Sequence, residues 1–87
     1  MLELVGTGIN GYFIAAYASE AVDGLYSGYY KVYGTRPASY FDVMPCVAKG
    51  AASVLFASPE AAVLDAMELG KLHSGNLPPA VRFAPTG

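Results

Sequence analysis

Gly6, Gly8 and Gly11 follow the apolar run Leu2-Glu3-Leu4-Val5 and spell G-x-G-x-x-G. Between a strand and a helix, that spacing lets the backbone approach a pyrophosphate, which then rests on the N-terminus of the helix. Ala15 stands where such a fold places a small helical residue, and Arg36 where a ribose 2′-phosphate is met. The surroundings do not complete the motif. No acid ends the strand expected over Tyr29 to Tyr33, and strands and helices do not alternate further along. At 87 residues the chain is also short for two mononucleotide-binding halves. Glycine and asparagine are equally what a tight turn between strands needs. The turn is the preferred reading of Gly6 to Gly11, with a minimal nucleotide-binding loop as the second alternative.

Other chemistry is sparse. The chain has one histidine, His73, and one cysteine, Cys46, so it cannot complete a His/Cys zinc site alone. An intramolecular disulfide is excluded, which fits a reducing compartment. Cys46 reads as a small core residue and His73 as an exposed residue at a helix C-terminus. Asp65 and Glu68 share one side of a helix and read as a solvated face. No Ser/His/Asp arrangement is suggested by spacing. The expectation is a protein that is not an enzyme and carries no cofactor or metal.

Composition narrows the partners. Only 14% of residues are charged, against about 25% in an average soluble domain. The net charge is −2 and there is no basic run. Nucleic acid is therefore disfavoured, because phosphate neutralisation supplies most of that affinity. Seven tyrosines and four phenylalanines on a chain this small leave apolar and amphipathic surface to be covered. No cationic segment precedes the first apolar residues, and the run Tyr12 to Ala18 is too short to span a bilayer. A cytoplasmic protein without a membrane is expected.

The elements that must position these residues are legible in part. Ser58-Pro59-Glu60 is a helix start: a hydroxyl N-cap, proline in the first turn, and an acid at the positive end of the helix dipole. Apolar spacing at Ala62, Val63, Ala66, Met67 and Leu69 carries the helix from residue 59 to about 72. Its stripe of Ala62, Ala66 and Gly70 permits close approach, to its own sheet or to a second helix. Tyr26 to Tyr33 is the strongest strand, Tyr12 to Ala18 another, with Asp23-Gly24 as the turn between them. Ala51 to Ala57 reads as a further strand. Tyr40 to Met44 is a short strand or an irregular crossing, and Ala80 to Phe83 a short edge strand. The sum is one α+β domain over residues 1–87, an antiparallel sheet of three to four strands with one principal helix on one face.

If one helix covers one face, the other is open. Tyr29, Lys31 and Tyr33 alternate onto that outer face, and Leu64 and Leu72 point to the polar side of the helix. These five residues are the candidate interface, with Tyr29 and Tyr33 expected exposed or buried only by another chain. The expected function is binding of protein, either a partner or a second copy, a homodimer included. The alternative is a nucleic-acid-binding sheet that stacks bases on its tyrosines.

Overall fold

The computed structural model describes residues 2–81. Four antiparallel strands, β1 (Leu2–Thr7), β2 (Phe13–Val22), β3 (Leu25–Tyr33) and β4 (Ala48–Ala51), form one sheet in the order β1-β2-β3-β4, followed by one helix, α1 (Pro59–Gly75). This is an α+β domain. Asp23 and Gly24 join β2 to β3 with φ of 34° and 75°, the two positive values that a type I′ hairpin turn requires. Glu20 Oε2 accepts the Gly24 N–H at 3.0 Å and steadies that turn. No described helix is long and apolar enough to cross a membrane.

Register sets the two faces of the sheet. The pairs Leu4–Ala16, Ala16–Tyr30 and Tyr30–Gly50 put these residues on the inner face, under α1. Ile14, Ala16, Ala18, Tyr30 and Val32 meet Ala62, Val63, Ala66 and Met67 there. Full burial of a residue such as Ile14 or Val32 contributes roughly 1.5–3 kcal/mol. The helix lies very close to the sheet. A β-carbon on Gly28 would strike the Ala62 carbonyl oxygen, and one on Gly70 would sit 2.5 Å from Ile14 Cγ2. The small-residue stripe thus docks on the chain's own sheet, not on a second helix.

The helix starts where its sequence says. Ser58 Oγ accepts the Ala61 N–H at 3.2 Å, with Pro59 and Glu60 in the first turn. It ends at Gly75, beyond the expected Leu72. The reason is tertiary. Ser74 is buried, donates to the Lys71 carbonyl at 2.7 Å, and accepts the Ile9 N–H at 2.8 Å. A residue so placed holds the last turn in register.

The fourth strand corrects the sequence reading. Ala48–Ala51 pairs with β3, whereas most of the apolar run Ala51 to Ala57 leaves the sheet. The Ala52 N–H still donates to the Gly28 carbonyl at 2.9 Å, and further on the chain rejoins β3 through a bridge between Phe56 and Tyr26. Gly50 explains the register: the Tyr30 ring lies where a side chain at residue 50 would be. Tyr40 to Met44 is an irregular crossing. Ala80 and Val81 form no strand, although the Ala80 N–H donates to the Asn10 carbonyl at 2.8 Å. Arg82 and Phe83 lie outside the described residues.

Two substitutions test this packing by chemical denaturation. Ser58→Ala should lower stability by about 1 kcal/mol through loss of the cap. Gly28→Ala should cost about 1–3 kcal/mol by forcing α1 off the sheet. Gly34→Ala, where an added β-carbon meets nothing within 4 Å, should stay within about 0.5 kcal/mol.

Candidate protein-binding surface

The outer face of the sheet is built from residues that alternate with the core. One row runs across all four strands: Glu3, Tyr17, Tyr29 and Ala51. A second row holds Val5, Ala15, Lys31 and Lys49, and a third Thr7, Phe13 and Tyr33. Residues 34–47 cross this face. Tyr40 and Phe41 of that crossing rest on Tyr17, with ring centroids 5.0 and 4.9 Å away, and Tyr17 stacks on Tyr29 at 5.9 Å. Such ring pairs add about 0.5–1.5 kcal/mol each beyond their buried area.

Polar contacts pin the crossing. The Lys31 ammonium donates to the Tyr40 carbonyl at 2.9 Å and lies 4.3 Å from the Tyr40 ring centroid. The Tyr40 N–H donates to Glu3 Oε1 at 3.1 Å. The Asp42 carboxylate accepts from the Ala38 N–H at 2.8 Å and the Met44 N–H at 2.9 Å. Those two donors, Ala38 first, hold the Asp42 carboxyl below its ordinary range. Arg36 lies 5.9 Å from the Phe13 ring centroid.

This covering corrects the expectation of an open face. Tyr33 is on the predicted side of β3, with Tyr29 and Lys31, but is 0% exposed and is covered without a second chain. Tyr29 and Lys31 are half-buried. Leu64 and Leu72 stand out from α1 at 57% and 64% exposure. The helix lies against the inner face, so the five candidate residues fall into two groups on opposite sides of the sheet. Open on the outer side are the edge residues Glu3, Thr7, Lys49 and Ala51 and the crossing itself, where Phe41 is 52% and Val43 100% exposed. Beside it a cavity of about 430 Å³ is lined by Tyr29, Tyr40, Lys49, Gly50 and Ala51. The sequence held no signal for the crossing's path, since Gly34 to Val47 has no period.

The glycine run is a hairpin loop between β1 and β2, with Asn10 and Gly11 at φ of 59° and 86°. It meets α1 at the C-terminal end. Asn10 Nδ2 donates to the carbonyls of Ser74 and Leu77 at 3.3 and 3.0 Å. That end of a helix carries partial negative charge, the wrong sign for a phosphate. His73 is half-buried, not exposed: its Nδ1 lies 2.7 Å from the Tyr30 hydroxyl. Among the described residues no group of three His, Cys, Asp or Glu side chains could hold a metal ion. No protein-family profile, curated protein or solved structure matches the chain.

Burial, then the charges of Cys46 and Asp42, push the Tyr33 phenol above its ordinary 10.0. Burial, then neighbouring Tyr33, Tyr29, Cys46 and Tyr17, does the same for Tyr40. The unfolded phenols ionise first. Their contribution to stability is therefore complete below pH 10 and is lost as pH rises through the higher folded values. The Tyr33 hydroxyl has no hydrogen-bond partner among the described residues. Tyr33→Phe should leave stability unchanged or raise it by up to about 2 kcal/mol, and should flatten the alkaline loss seen in urea titrations at neutral and alkaline pH. A loss of several kcal/mol would contradict the burial of an unpartnered hydroxyl.

Proposed function

We propose that this chain is a non-enzymatic, cytoplasmic protein-binding domain, and that its binding surface is the aromatic layer formed by the 34–47 crossing on the sheet. The observation that carries this reading is the exposure of Phe41, edge-on to Tyr17 and Tyr40, and of Val43 in the same crossing. Apolar groups held out to water over a rigid aromatic base are what a partner surface can desolvate. The occupant is a partner protein or a second copy of the chain, a homodimer included. The lone cysteine supports the cytoplasm, since no disulfide is needed to hold the fold.

Two other readings are less well supported. Base stacking needs open rings, and Tyr17 and Tyr33 lie beneath the crossing. A nucleotide on the glycine loop would meet the carbonyl end of α1.

Val43→Glu tests the proposal, because Val43 is fully exposed and its replacement leaves the fold intact. Light scattering across a dilution series, and pull-down from a native lysate, should show association weakened by about tenfold or more from a charge placed in a desolvated contact. The helical circular-dichroism signal should not change. Association unaffected by Val43→Glu and by Phe41→Ser would place the binding surface elsewhere.

A further inference from the structure

The cavity beside the crossing has an electrostatic asymmetry. Lys31 and Lys49 face each other in register on β3 and β4. Like charges directly opposite on neighbouring strands are unfavourable. The Lys31 ammonium is occupied by the Tyr40 carbonyl and ring. Lys49 is exposed, lines the cavity, and makes no ion pair or side-chain hydrogen bond among the described residues. The acids of this face are engaged elsewhere, Glu3 by the Tyr40 N–H and Asp42 by the Ala38 and Met44 N–H groups. Among the described residues the Lys49 ammonium is therefore left without a carboxylate partner at the wall of the cavity.

Its remaining walls add a second property. Tyr29 and Tyr40 contribute phenol rings, and neither hydroxyl donates within the described residues. Gly50 and Ala51 complete the lining. Both belong to β4, which stands at the edge of the sheet with β3 as its only strand neighbour among the described residues. Unpaired main-chain groups of an edge strand accept a further strand.

We infer that β4 and its cavity take an extended acidic segment of a partner protein, added to the sheet as a further strand, with a carboxylate on Lys49 and an apolar side chain over Tyr29 and Tyr40. Strand geometry fixes the spacing. A residue added opposite Lys49 points its side chain to the outer face, and the next one on that face is two residues away, opposite Ala51. The segment recognised is acid-x-apolar or apolar-x-acid. The inference rests on the protein-binding reading above and names the partner's chemistry.

Fluorescence anisotropy of the whole chain with labelled peptides tests this. The probe is the alternating peptide ETVTETVT. One control, QTVTQTVT, removes the charge, and another, ETVTETVT N-methylated along its whole main chain, removes the main-chain donors in either strand direction. The acidic peptide should bind and weaken as salt rises. The glutamine peptide should bind about tenfold less tightly, as expected for a lost charge-assisted bond. Lys49→Gln should weaken the acidic peptide by a similar factor and leave the glutamine peptide unchanged. The N-methylated peptide should fail to bind. Equal binding of acidic and amide peptides, no binding of either, or concentration-dependent self-association lost on Lys49→Gln would overturn the inference. Val43→Glu reads the aromatic surface separately, so failure of the peptide assay leaves that reading standing or falling on its own test.

Discussion

A sheet that is apolar on both faces must be covered on both. The alternation in β2 and β3 sends Ile14, Ala16, Tyr30 and Val32 inward and Phe13, Ala15, Tyr17 and Tyr33 outward. A single helix serves only one side. The other side is closed by residues 34–47, an irregular stretch that gains its order from ring contacts with Tyr17 and from bonds to Glu3, Lys31 and its own Asp42. The domain is thus three layers thick where the sequence pattern suggests two. Its exposed aromatic surface belongs to the third layer and not to the sheet.

The helix layer was legible. Ser58-Pro59-Glu60 carries its own start signal, and the spacing of Ala62, Val63, Ala66 and Met67 assigns the buried face. Asp23-Gly24 gives the hairpin, and the tyrosine-rich run gives β3 with its correct alternation. These features are local, set by backbone preference and by period. The same period puts Leu64 and Leu72 on the polar side of the helix, where they stand exposed.

What escaped the sequence is non-local. The register of β4 depends on a tyrosine ring that needs a glycine beneath it, at Tyr30 and Gly50, a pair separated by the whole crossing. The end of α1 is set by Asn10 and Ile9, contacts more than sixty residues away in the chain. Tyr30 and His73 meet only once the helix has docked. The exposure expected for Tyr33 failed for the same reason: its face was correctly assigned, but a segment without period covers it. The apolar groups open on the outer side are consequently Phe41 and Val43 of the crossing, and Tyr29 of β3 is a wall of the cavity.

The central claim is that the crossing closes the outer face within one chain. Nuclear Overhauser contacts between the Tyr17 ring and the rings of Tyr40 and Phe41, recorded down a dilution series, test it most directly. The account predicts all of these contacts with intensity per molecule independent of concentration, together with slow solvent access at Tyr33. Contacts that vanish on dilution, or a Tyr33 ring open to solvent in the monomer, would contradict it.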